Sequence, residues 1–363
     1  MNNYRKGFFQ LFSLSLSIVL FSIAALAQQI QRAPFDVGDY KMDVQLLPDE
    51  NKLNATVDVN FTPAEDTRTV SFELNGSLKI ESITRQNSFS ATAQPKTKTA
   101  AAAALIQVTF VQDQTGVSDL GPSVRIDFGE VITKGTPVTL RFRYGGVLNS
   151  PSGGPLLTKK LASVGAKDGY LMYAARWFPF HNYAADQATS DISISLPTGF
   201  QIVGFSDSAV TNAGGKYRFV QSKPALIGNF AYGKYTSKIL RFGDYELQFY
   251  TRIGNDALVS AYGETLGRAL EFYTKQYGEP QGGKRLIIAQ VDDETLDFYS
   301  SQGIIFMANR LFEQSREITQ ERLQREAALQ WWGLTVGLKS FDDAWISQGL
   351  AEYSAFALRE TTL

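Results

Sequence analysis

Hydrophobic and polar positions alternate along much of the first 250 residues. The runs Tyr40-Lys41-Met42-Asp43-Val44-Gln45-Leu46, Ala55-Thr56-Val57-Asp58-Val59-Asn60-Phe61 and Val138-Thr139-Leu140-Arg141-Phe142-Arg143-Tyr144 keep a period of two, as strands with one buried and one wet face do. Turn residues such as Pro48-Asp49-Glu50-Asn51 separate them, and a further strand over Thr189 to Leu196 ends at Pro197-Thr198-Gly199. An all-β domain over about 30–250 is predicted. After Gly254 the period lengthens. Leu258, Tyr262, Leu266, Ala269, Leu270 and Tyr273 recur at spacings mostly of three and four, so an amphipathic helix is predicted that ends near Gly278. Arg285 to Val291 and Gly303 to Met307 read as strands, and about 318–332 and 345–358 as helices, which makes 251–363 an α/β module. Ser88 to Ala104 and Asn149 to Lys167 have the composition of loops.

The N-terminus adds a targeting signal. Arg5 and Lys6 precede an uncharged run from Gly7 to Ala27 that closes on Ala25-Leu26-Ala27, the layout of a signal peptide over 1–27. The mature chain is then exported, to the periplasm or the extracellular space. The alternative is an uncleaved anchor, the only membrane contact the sequence suggests. There is no Cys, so an exported chain of this length relies on buried apolar surface rather than disulfides. With 35 basic and 36 acidic side chains, nothing points to nucleic acid as a partner.

Candidate chemistry lies near the C-terminal end. Arg325-Glu326-Ala327-Ala328-Leu329-Gln330-Trp331-Trp332-Gly333 is followed, eighteen residues beyond Leu329, by Gln348 in Trp345-Ile346-Ser347-Gln348-Gly349-Leu350-Ala351-Glu352-Tyr353. This pair of segments resembles the gluzincin zinc aminopeptidases of the membrane alanyl aminopeptidase type, whose H-E-x-x-H-x-W-W-G is followed at the same gap by W-L-N-E-G-F-A-E-Y. Arg176-Trp177-Phe178-Pro179 similarly resembles their R-x-F-P segment. The resemblance implies a saddle or sandwich β-domain followed by a thermolysin-like catalytic-type domain. That second domain is expected to be incomplete, since the sequence given stops at Leu363; a naturally short protein and a piece of a longer one are both open.

The resemblance also implies which positions held zinc, and the residues there are the wrong kind. Two imidazoles at i and i+4 on a helix and a carboxylate from a second helix make a three-ligand site. Arg325 stands at the first His position, Leu329 at the second and Gln348 at the Glu. A guanidinium only donates and Leu has no lone pair. His181 is the single His, so two imidazoles cannot be assembled from this chain. Glu326, at the family's general-base position, is expected to be idle, because no metal-bound water is beside it. Ser300 falls where the family's amine-binding Glu would be, with Glu294 and Asp297 nearby in sequence. No metal and no cofactor is expected; zinc would be expected only if the family activity were retained.

Other residues have plainer readings. His181 lacks a G-x-S-x-G partner motif and reads as a loop histidine, and Asp292-Asp293-Glu294 and Asp342-Asp343 read as loop or cap carboxylates. The sequence thus points to an exported, aminopeptidase-like pseudoenzyme that binds a peptide or protein in a metal-free cleft. The strand Gly303, Ile304, Ile305, Phe306 and Met307 is the expected docking edge, and an Arg325–Glu352 ion pair is expected to fill the vacated site. The alternatives are an active zinc metallopeptidase and a remnant without a ligand.

Overall fold

Alternation becomes strand pairing almost everywhere it occurs. The computed structural model describes residues 34–86, 105–113, 123–148, 159–182, 186–252, 256–313 and 319–361; the leader, the 88–104 loop and part of the 149–167 loop lie outside them. In chain order the strands are β1 (Phe35–Leu47), β2 (Lys52–Pro63), β3 (Thr67–Glu73), β4 (Lys79–Gln86), β5 (Leu105–Gln107), β6 (Thr109–Gln112), β7 (Ser123–Ile132), β8 (Val138–Val147), β9 (Ala162–Val164) and β10 (Asp168–Leu171). They continue as β11 (Ala188–Ser195), β12 (Gln201–Gly204), β13 (Thr211–Ala213), β14 (Lys216–Ala225), β15 (Phe230–Gly233), β16 (Thr236–Phe242), β17 (Tyr245–Thr251), β18 (Arg285–Val291), β19 (Phe298–Ser301) and β20 (Ile304–Ala308). The helices are α1 (Asp256–Tyr277), α2 (Gln320–Ala328) and α3 (Ala344–Glu360). No helix among the described residues is long and apolar enough to cross a membrane.

Residues 34–363 form one compact unit with an eight-stranded sheet in the order β13-β14-β11-β1-β2-β8-β4-β5. Leu53, Ala55, Val57, Val59 and Phe61 of β2 are all buried and alternate with more exposed residues. Register matches like faces: Val44 lies opposite Ala55, Met42 opposite Val57, and Val57 opposite Phe142. Each such side chain contributes about 1.5–3 kcal/mol when fully buried. A three-stranded sheet, β3-β7-β6, and a four-stranded sheet, β12-β15-β10-β9, share this core. Arg176, Trp177 and Phe178 are fully buried in it; Trp177 Nε1 donates to the Gly228 carbonyl at 3.0 Å.

Residues 236–250 depart from the expected domain boundary at 250/251. Strands β16 and β17 pair with each other, and β17 runs parallel to β18, so the second sheet, β16-β17-β18-β20-β19, starts at Thr236. Helices α1, α2 and α3 cover one face of it and the β-rich core covers the other. Ile288, Ile305 and Met307 point into the helical cluster, whereas Ile287, Ala289, Ile304 and Phe306 join the β core. Burial on both faces explains why these two strands read as continuous apolar runs.

The expected docking edge needs correction. Residues Ile304 to Met307 belong to β20, which is paired on one side with β18 and on the other with β19; Gly303 closes the β19–β20 turn. All five are buried, and their main-chain groups are consumed inside the sheet. The edge strand on this side of the sheet is β19. The helix predicted over 318–332 is also shorter: α2 ends at Ala328, and the chain turns through Gly333 at φ +97°, with Thr335 Oγ1 donating to the Gln330 carbonyl at 2.8 Å. Helix α1 ends at Gly278 (φ +84°), a left-handed position glycine adopts without strain.

Candidate functional site

Helix α2 is anchored by Leu323, Ala327 and Ala328, all buried, and by Trp331 just beyond it. The two tryptophans of the motif serve the scaffold: Trp331 Nε1 donates to the Gly278 carbonyl at 2.9 Å, and Trp332 Nε1 to Ser354 Oγ of α3 at 2.9 Å. Both ring groups are wedged around Tyr277. Indole N–H groups buried this way need a partner, and both have one.

This packing sets Glu326 against the sheet edge. The Glu326 side chain is 3 % exposed, and Ser300 Oγ of β19 donates to its Oε2 at 2.7 Å. Its other oxygen accepts from Arg325 Nη2 at 2.7 Å. Arg325 then reaches across to α3, where Nη1 lies 3.2 Å from Glu352 Oε1 and 3.5 Å from Gln348 Oε1. The last distance is at the margin of a hydrogen bond. The guanidinium thus sits between α2 and α3 with one buried and one exposed carboxylate. Burial works to lower its pKa; the adjoining Glu326 and then Glu352 outweigh that and raise it, so it is a fixed cation.

Arg325, Glu326, Gln348, Glu352 and Ser300 are therefore brought together. Glu326 is the nearer carboxylate to Arg325, although Glu352 was the expected partner. Neighbouring helix residues diverge by about a quarter turn, but the arginine stem is long enough to fold back. Leu329, half-buried, packs against the helical cluster. Asp297 is engaged elsewhere, at 2.7 Å from both Arg310 and Arg322; burial pushes its carboxyl up, and the two arginine hydrogen bonds hold it below the usual range. Glu294 is exposed.

Two contacts at the site have no signature in the sequence. Ser300 to Glu326 is one. The other is Gln330, whose Oε1 accepts from the Gly303 N–H at 2.9 Å while its Nε2 donates to the Ser301 carbonyl at 3.0 Å, clasping the β19–β20 turn. Gly303 has φ +66°, and a Cβ there would lie 2.1 Å from Phe205, so the turn requires glycine. A cavity of about 60 Å³ beside β19 is lined by Tyr299, Ser300, Ser301, Tyr173 and Asn229, among others.

The remaining candidates are local. His181 Nδ1 lies 3.0 Å from Asp186 Oδ2, its ring stacks on Phe35 at 3.8 Å, and the same carboxylate accepts the Val37 N–H at 3.3 Å. Asp293 caps its own turn through Thr295, and Asp343 does so through Ser340. Among the described residues no group of three or more His, Cys, Asp or Glu is placed to hold a metal ion.

No protein-family model and no curated protein matches the chain. Solved structures do. An M1 zinc metallopeptidase from Deinococcus radiodurans matches at 16 % identity over 92 % of this chain and 72 % of its own, with a TM-score of 0.65. A mutant two-domain M1 zinc metallopeptidase bound to L-arginine matches at 18 % identity with the same coverage and a TM-score of 0.69. A mutant of the Deinococcus radiodurans enzyme bound to a Tyr-Ser-Ala substrate matches at 18 %, over the same shares, with a TM-score of 0.65. The chain has the fold of these M1 zinc metallopeptidases.

Proposed function

We propose that this chain is a degenerate member of the M1 zinc metallopeptidase family, an exported, non-catalytic peptide-binding protein whose second module is thermolysin-like. The observation that carries the reading is the Arg325 guanidinium held between Glu326, Glu352 and Gln348. The residues at the three ligand positions do not fit zinc. Arg325 repels a dication, Leu329 offers no donor atom, and Gln348 supplies one neutral oxygen where the metal favours imidazole or an anion. Glu326 is engaged by Arg325 and Ser300, so its carboxylate already has partners.

Peptide binding rests on the sheet edge. Strand β19 ends the second sheet. In its antiparallel pairing Ala308 N–H bonds the Asp297 carbonyl, so hydrogen-bonded pairs alternate and the main-chain groups of Phe298 and Ser300 face outward. An extended peptide can add there as a further strand. A related fold bound to a Tyr-Ser-Ala substrate supports this ligand class.

Metal content of the purified mature chain by mass spectrometry, together with hydrolysis of aminoacyl reporter substrates, tests the reading. Zinc well below one per chain and no hydrolysis are expected. Stoichiometric zinc with turnover would establish the other reading, an active zinc aminopeptidase.

A further inference from the structure

We infer that a peptide adding to β19 is selected for an acidic side chain at the residue opposite Phe298, where Arg322 of α2 binds it. The inference rests on the strand-addition reading above and names the ligand chemistry of that edge. Residues directly opposite one another in a sheet share a face, with Cβ atoms about 4.5–5.5 Å apart. Phe298 packs toward the helical cluster and Tyr299 toward the β core. Side chains of an added strand that lie opposite Phe298 and Ser300 therefore also project toward α2. At Ser300 the hydroxyl is already committed to Glu326. At Phe298 a cation is open: the Arg322 guanidinium lies 5.2 Å from the centroid of the ring, and its side chain is 45 % exposed.

Charge at this end of the strand is uneven. Asp297 serves two guanidiniums, Arg310 through Oδ1 and Arg322 through Oδ2, each at 2.7 Å. Arg310 bonds the carbonyls of Asp293 and Leu296 through its remaining nitrogens. Arg322 makes one hydrogen bond, from Nη2, and its Nε and Nη1 have no partner among the described residues. One carboxylate against two cations leaves an excess of positive charge beside the outward main-chain groups of Phe298. Farther along α2, Arg325 is balanced by Glu326 and Glu352, so the excess stays at the Phe298 end. A glutamate on a strand added about 4.8 Å outside β19 brings its carboxylate to the unused donors as a charge-assisted partner. A lysine there meets like charge. Asp297 and the Phe298 ring already fix the guanidinium, so little of its freedom is left to lose on binding.

The test is binding of acetyl-Thr-Val-Xaa-Val-Thr-amide peptides that carry an uncharged dye and have Glu, Gln or Lys at the centre, read by fluorescence anisotropy on the mature chain. At about 50 mM salt the Glu peptide is expected to bind about 5-fold tighter than the Gln peptide, as an exposed ion pair allows, and roughly 10-fold or more tighter than the Lys peptide. Both ratios should shrink at about 0.5 M salt. Arg322→Gln should bind the Glu and Gln peptides alike, and Arg322→Glu should reverse the order in favour of Lys. Arg310 keeps Asp297 paired in both variants, so their melting temperatures should stay near that of the wild type. Equal binding of the three peptides by the wild type, or an unchanged order in Arg322→Glu, would overturn the inference and leave the strand-addition reading standing. Failure of all three peptides to bind would overturn that reading and the inference with it.

Discussion

Replacing Arg325 by Ala tests what the guanidinium does for the fold. The substitution removes the cation from two carboxylates in unequal settings. Glu326 is almost fully buried and would retain only the Ser300 hydroxyl, whereas Glu352 is 63 % exposed and water would replace its lost partner. Stranding a buried carboxylate typically costs about 3 kcal/mol or more. The exposed arm contributes less than about 1 kcal/mol. Arg325→Ala should therefore cost about 3 kcal/mol, nearly all through Glu326, and Glu352→Gln less than about 1 kcal/mol. The double variant Arg325→Ala with Glu326→Gln removes the stranded charge and should be on the order of 2 kcal/mol more stable than Arg325→Ala alone. Urea unfolding followed by tryptophan fluorescence measures all four proteins; with a slope of about 3 kcal/mol/M the Arg325→Ala midpoint falls by about 1 M. If Arg325→Ala lies within about 1 kcal/mol of the wild type, or if Glu352→Gln costs as much, the guanidinium does not hold the helix pair through Glu326.

Three further outcomes are expected. The triple variant Arg325→His, Leu329→His and Gln348→Glu restores a three-ligand donor set and should take up zinc, measurable by mass spectrometry and by a chelator-sensitive melting temperature. It should still fail to hydrolyse aminoacyl reporters, because the resemblance puts Ser300 where the family has its amine-anchoring Glu; efficient turnover would show that anchor to be dispensable. Gln330→Ala leaves the buried Gly303 N–H and Ser301 carbonyl without their partner, which should cost about 2–3 kcal/mol and speed hydrogen exchange in β19, while an unchanged exchange pattern would mean the clasp is redundant. Asp186 is held above the usual carboxylate range, chiefly by burial, with the His181 and Val37 contacts pulling the other way. Between its ordinary and raised values the native state binds more protons than the unfolded one, so this contribution is present at acid pH and lost as pH rises through the raised value. Asp186→Asn should flatten that segment of the stability profile; an unaltered slope refutes the assignment.

Much of the β architecture is legible because burial on one face imposes a period of two, as β2 and β8 illustrate. The continuous apolar runs of β18 and β20 announce strands too, but not that β20 lies inside the sheet, since a run buried on both faces looks the same whether or not its edges are paired. Strand β19 escapes a sequence reading because Phe298-Tyr299-Ser300-Ser301 is short and half-exposed, with no alternation to detect. At the site, the resemblance singles out Arg325, Leu329 and Gln348, and their side-chain chemistry makes them poor zinc ligands. The choice of Glu326 over Glu352 as the nearer partner is different: it depends on how a flexible side chain folds back over its own helix, which spacing does not encode.

The Gln330 clasp has a kinetic consequence. A carboxamide is a peptide group detached from a main chain, and here it gives the turn at Ser301 and Gly303 the hydrogen-bonding neighbour that another strand would have provided. That end of β19 is therefore fastened to the segment after α2 from within the protein. If a peptide adds to β19 as proposed, it should meet an edge already fastened and lose mainly its own freedom. Association should then be a single concentration-dependent step with no slow conformational phase, and sequence variation among ligands should register in how long each stays rather than in how fast it lands.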